Sequence, residues 1–253
     1  MIDRRLFLAS AAGIAVSPAI ATQAPALRVF ELRQYTLKGG TRAAFTRLFQ
    51  REFVTTQDAV GAHVRAVFRD QDDPDRFVWM RGFADMAARK AALEAFYFGP
   101  VWKAHREQAN AMIVDSDNVL LLKPLTGAIE PMTLGKGLTR VAIHRLRDVD
   151  PGAFAAFFAG RMQPAIDAAG GHVVATLTKE ASPNTFPRLP VREHDPVFVW
   201  IAHFSDEAAE RAFSRRWAAA NGWRDGIADA LLPALMQKPE ILRLTSSIPI
   251  PDD

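Results

Sequence analysis

The chain has no cysteine among its 253 residues. That absence excludes disulfides, thiolate nucleophiles and zinc–thiolate centres. It also excludes lipid anchoring through a cysteine at the end of a signal segment. Charge of one sign is equally missing: 31 basic and 28 acidic residues are interleaved, for a formal charge of +3. Without a basic stripe, nucleic acid is not an expected partner. The glycine patterns of dinucleotide and phosphate loops and the nucleophile elbow are absent too, and KGG at 38–40 reads as a turn.

Long apolar runs are scarce as well. LFLASAAGIAV is too short to span a bilayer as a stable helix. It follows Arg4 and Arg5 and precedes Pro18 and the small-residue triplet AIA at 19–21, the order of an export signal. DRRLFLA resembles the twin-arginine motif, which implies the twin-arginine export machinery as a partner and a bacterial periplasmic location. Cleavage is expected after Ala21, so that 1–21 is a signal peptide.

What the chain does have is a repeat. FVWMRGFADMAARKA at 77–91 returns as FVWIAHFSDEAAERA at 198–212, placing Trp79 on Trp200 and Asp85 on Asp206. Trp102 and Trp223 follow at the same distance in each copy. GAHVRAVF at 61–68 lies over GGHVVATL at 170–177, so that His63 meets His172. VFELRQY at 29–35 is laid over VAIHRLR at 141–147, which puts Arg145 on Arg33, Ile143 on Glu31 and Arg147 on Tyr35. NVLLLKPL at 118–125 and EILRLTSS at 240–247 close the copies.

Each copy reads as strand, helix, strand, strand, helix, strand. Phe45, Leu48, Phe49 and Phe53 form one helical face, and Asp85 stands where an N-cap belongs. This β-α-β-β-α-β order is the ferredoxin-like unit, an antiparallel sheet with helices on one face. Its other face is bare, so two such sheets are expected to pack as a pseudo-twofold α+β barrel. The first unit takes 28–125, a linker 126–138 and the second unit 139–247. The insertion SPNTFPRLPVREHDP at 182–196 has the composition of a loop or lid.

VFELRQYTLKGG, FVWMRGFADMAARKAALEAF and FGPVWKAH resemble the NIPSNAP family over nearly all of residues 28–247. The resemblance implies membership of the wider dimeric α+β barrel group. That group includes haem-degrading and cofactor-free oxygenases, chlorite-dismutase-like haem proteins and members of no known chemistry. It names a fold more firmly than a reaction.

On strand parity Phe77, Trp79, Arg81 and Phe83 share one face. Arg33, Tyr35, Arg81, Arg145, Trp79, Trp102, Trp200 and Trp223 are the expected lining of a ligand cavity between the sheets, where a guanidinium fork suits an anion. The bland alternatives are internal ion pairs for the arginines and core packing for the tryptophans. His63, His105 and His203 are the candidates for a catalytic base or a haem ligand, while His144, His172 and His203 lie on three strands that could bring them together. Three functions stay open: a binding protein for a small anionic or aromatic molecule, a haem-dependent or cofactor-free oxygenase, or a module that assembles into homo-oligomers through exposed sheet edges.

Overall fold

The computed structural model describes residues 26–127, 137–219 and 226–247. Arg4, Arg5, Ala21, Trp223 and most of the expected linker lie outside the described residues. The first unit contains β1 (Val29–Leu37), α1 (Arg42–Leu48), α2 (Thr55–Ala59), β2 (His63–Asp70), β3 (Arg76–Phe83), α3 (Met86–Tyr97), α4 (Pro100–Met112) and β4 (Ile113–Gly127). The second contains β5 (Leu138–Arg145), α5 (Pro151–Phe157), α6 (Gln163–Ala168), β6 (Val173–Lys179), β7 (Val197–Phe204), α7 (Glu207–Ala219), α8 (Ala228–Leu231) and β8 (Glu240–Ser246).

The strands close into an antiparallel barrel in the order β1-β3-β2-β8-β5-β7-β6-β4. Each unit contributes four neighbouring strands, and the two seams, β2 with β8 and β4 with β6, are equivalent. The ferredoxin-like duplication expected from the repeat is therefore the observed fold. Because the eight described strands close into one barrel within the chain, none of them is left as an outer sheet edge for edge-to-edge assembly.

Period-two alternation divides every strand between barrel interior and helix layer. Phe30, Leu32, Val78, Met80, Leu120, Val141, Ile143, Val199 and Leu242 belong to one buried apolar cluster that fills the interior. The cavity expected between the two sheets is thus occupied by aliphatic packing. The opposite faces of the sheets lie beneath the helices, where Phe45, Phe49, Phe53, Phe77 and Trp79 pack in the first unit and Phe154, Phe158, Phe198 and Trp200 in the second.

Asp85 caps α3 by accepting from Ala88 N at 2.7 Å, and Asp206 accepts equivalently from Ala209 N. Gly61 and Gly170 have φ of 86° and 85° at matching turns before β2 and β6, a conformation that an L side chain resists. Two features differ from expectation. The first helix of each unit contains a π-helical turn, Phe49–Val54 between α1 and α2 and Phe158–Met162 between α5 and α6. Each unit also has an extra helical segment, α4 or α8, before its last strand.

The strand pairing corrects the alignment of the two copies. Glu31 faces Arg81 and Arg33 faces Trp79 across β1 and β3. Arg140 faces Ala202 and Ala142 faces Trp200 across β5 and β7. Glu31 therefore corresponds to Arg140, Arg33 to Ala142 and Tyr35 to His144, an offset of 109 residues rather than 112. A three-residue slip exchanges faces, which is why Ile143, expected to match Glu31, lies in the barrel interior. The same offset of 109 relates Phe45, Phe49, Phe53 and Gln57 to Phe154, Phe158, Met162 and Ile166.

Candidate functional site

The outward face of β1 and β3 carries a cluster of charges with no water contact. Glu31, Arg33, Arg81 and Arg89 are each 0% exposed. Glu31 Oε2 accepts from Arg33 Nη1 and Arg81 Nε, both at 2.8 Å, and Oε1 accepts from Arg89 Nε at 2.7 Å. Arg81 Nη2 and Arg89 Nη2 also lie 2.7 Å from the carboxylate as ion-pair contacts. Three guanidiniums share one carboxylate, leaving two positive charges in excess. Arg33 Nη2 is buried and finds no hydrogen-bond partner among the described residues.

Aromatic rings surround this charge. The Arg81 guanidinium lies 5.0 Å from the Trp79 ring and 5.9 Å from Tyr97, and that of Arg33 lies 5.4 Å from Tyr35. Such contacts partly replace lost hydration. Burial alone would raise the pKa of Glu31, but the fields of Arg81, Arg33 and Arg89 hold it well below the usual carboxylate range. Burial raises that of Tyr35 despite Arg33, so Tyr35 stays a neutral phenol.

Between this sheet face and helices α1 to α4 lies a cavity of about 90 Å³, lined by Tyr35, Gln57, Trp79, Trp102 and a wall of Phe45, Phe49, Phe53 and Phe96. Arg33 and Arg81 lie behind its polar floor. Arg33 Nε donates to the Tyr35 hydroxyl at 3.0 Å, and Arg81 Nη1 donates to Gln57 Oε1 at 2.6 Å. Trp79 Nε1 is buried without an acceptor among the described residues. Tyr97, Trp102, Asn110 and Leu189 also line an adjoining outer pocket of about 310 Å³, together with Arg106, Glu107, Phe186 and Arg188.

The second unit supplies the roof. Its 182–196 insertion leaves β6 along the edge of β4, with Glu180 N donating to Leu121 O and Arg192 N to Val119 O. Phe186 then stacks on Tyr97 with ring centres 5.8 Å apart, and Arg89 Nη1 donates to Asn184 Oδ1 at 3.0 Å. The expected lid thus covers the other unit's site.

In the second unit the same positions are differently filled. His144 replaces Tyr35, and its Nε2 accepts from Trp200 Nε1 at 3.0 Å, so this indole has the partner that Trp79 lacks. Ile166 and Ala202 replace Gln57 and Arg81 and join an apolar cluster. The ion pair is inverted, with Arg140 bound to Glu210 where Glu31 meets Arg89.

Of the residues singled out in the sequence, Arg33, Tyr35, Arg81, Trp79 and Trp102 are brought together here. Arg145 is not: it sits at the end of β5 beside Asp195 and Gln237. Trp200 packs in the second unit's core. His63 lies 4.0 Å from Asp58, and His105 lies 3.3 Å from Glu52. The His203 backbone N–H donates to His172 O at 3.1 Å, while His144 points to the opposite, helix-covered face. Among the described residues no three ligating side chains gather as a metal site. Among the described residues no histidine lines either cavity, and the hydroxyl of Tyr35 is engaged by Arg33, so these residues do not fit an iron-ligated haem. Arg89, Gln57, Tyr97 and Phe186 were not anticipated. An offset of 109 would have exposed the exchange of Gln57 for Ile166.

Residues 30–126 match the NIPSNAP family. That span is the unit that carries the cavity. A candidate monooxygenase from Lactobacillus acidophilus NCFM is 12% identical, with 88% of this chain and 95% of that one covered at a TM-score of 0.54. Another from Fusobacterium nucleatum is 9% identical, with 87% and 93% covered and the same TM-score of 0.54. These likenesses establish the two-unit barrel fold. A NIPSNAP-like domain protein from Burkholderia xenovorans is 22% identical over 40% of this chain and 87% of its own, with a TM-score of 0.37. No curated protein matches the chain.

Proposed function

We propose that the protein binds a small aromatic or conjugated anion in the cavity between the first unit's sheet and its helices. The observation that carries this reading is the buried excess of guanidinium charge behind an aromatic pocket, present in the first unit and dismantled in the second. Unbalanced buried charge is costly, and an anion close by offsets it. The pocket lining supports binding rather than acid–base chemistry, because no histidine, carboxylate or lysine is among the described residues around the inner cavity.

The test is a tryptophan-fluorescence titration with benzoate and with neutral benzamide. Benzoate is expected to bind at least about tenfold more tightly, a difference of about 1.4 kcal/mol. Equal affinities, or no binding of benzoate, benzamide or the 4-nitrophenol anion, would contradict the reading.

We also propose that the chain reaches the periplasm by the twin-arginine route, on the strength of Arg4, Arg5 and the small residues at 19–21. The mature protein is then expected in the periplasmic fraction with an N-terminus near Thr22. A double Arg4→Lys, Arg5→Lys variant should stay unprocessed in the cytoplasm.

A further inference from the structure

The three polar residues of the cavity floor share a property that no single hydrogen bond reveals. Arg33 donates to the Tyr35 oxygen, which leaves the phenolic O–H as a donor. Arg81 donates to Gln57 Oε1, which leaves Nε2, also a donor, as the remaining polar group of that amide. The Trp79 indole can only donate, and it has no acceptor among the described residues. Arg33 and Arg81, both paired with Glu31, each give one N–H to a neutral side chain of the floor, and neither guanidinium itself lines the cavity. The result is a floor of single donors backed by buried positive charge. A carboxylate is best met by a two-pronged guanidinium, whereas separate single donors suit one oxygen that carries the charge alone.

From this we infer that the cavity recognises weakly acidic phenols or enols and holds them as their oxyanions, in preference to carboxylates. The inference rests on the proposed binding function and narrows its ligand class. The ligand's proton leaves to solvent, since the charged groups around the floor cannot take it. Arg33, Arg81 and Arg89 are cations already, and Glu31 is saturated by them. Tyr35 is a neutral phenol, Tyr97, Arg106, Glu107 and Arg188 line the outer pocket, and the Glu52 and His105 pair lies outside both cavities. The aromatic walls take the ring, and the outer pocket takes whatever extends beyond the inner volume.

The experiment is a spectrophotometric pH titration of 4-nitrophenol, whose anion absorbs visible light, with and without an excess of the full-length protein. The bound phenol is expected to ionise at least about one pH unit below its value in water. Tyr35→Phe and Trp79→Phe each delete one donor while keeping a ring, and each should weaken binding of the anion about tenfold. Benzoate is run as competitor. If benzoate binds and 4-nitrophenol keeps its solution acidity, the oxyanion inference falls while the binding reading stands. If neither binds, both fall. The wild-type titration decides the matter even where a variant fails to fold.

Discussion

Glu31 is the residue on which the first unit's polar core depends. Among the described residues it is the one carboxylate paired with Arg33, Arg81 and Arg89, and all four are cut off from water. Replacing it by glutamine keeps the shape and removes the charge, so three guanidiniums would remain buried without a counterion. Glu31→Gln is expected to cost about 3–5 kcal/mol in urea unfolding, the range for breaking a buried ion pair by removing one partner. A loss below about 1 kcal/mol would mean that water or an anion reaches the cluster. His144 is a second residue with a measurable signature. Burial pushes its pKa down to about 4 from the usual 6.5, and its neutral Nε2 accepts from Trp200. Its folded value lies below its unfolded one, so the unfolded chain binds more protons between them. The contribution is complete above pH 6.5, shrinks as pH falls and is gone below about pH 4. Across that window wild type should lose about 3 kcal/mol relative to His144→Gln, whose amide oxygen can still accept from the indole. Parallel pH profiles of thermal unfolding for the two proteins would refute this.

At the scale of elements, the 182–196 insertion joins the units functionally. It springs from the second unit yet covers the first unit's site: Leu189 lines both pockets, Phe186 lines the outer one and stacks on Tyr97, and Asn184 accepts from Arg89. Phe186 is 5% exposed, but it belongs to a loop rather than to the barrel core. Phe186→Ala should therefore open the roof with little effect on global unfolding, weakening anion binding about tenfold, or about 1.4 kcal/mol. Unchanged affinity would show that the loop covers the cavity without enclosing the ligand. The π-helical turns act at the same scale. In the first unit that turn carries Phe49 and Phe53 into the cavity wall, with Phe49 and Trp79 ring centres 4.7 Å apart.

For the whole molecule, duplication has been followed by divergence of the two faces beneath the helices. The barrel interior is one shared apolar core to which both units contribute. The helix-covered faces differ. The first keeps cavity, donors and excess positive charge; the second answers with His144, Ile166, Ala202 and an inverted ion pair. Calorimetric titration should accordingly return one ligand per chain. Two equivalent sites would require the second unit's packing of Phe158, Met162 and Trp200 to open, at the cost of a buried apolar cluster.

The sequence by itself determined the architecture. A repeated β-α-β-β-α-β pattern with one bare face per sheet admits few arrangements, and burying two such faces against each other closes the barrel. Strand parity also placed Trp79 with Arg81 and separated both from Met80, because alternation is local geometry. Tertiary structure alone decided which face would hold the cavity, since period two divides residues into two sets without saying which set meets the helices. It also decided the register between copies: hydrogen-bonded pairing set the offset at 109, where similarity of the first strands had suggested 112. The roof was beyond reach for the same physical reason. Arg89, Asn184 and Phe186 are distant in the chain and meet only because the two sheets close on each other.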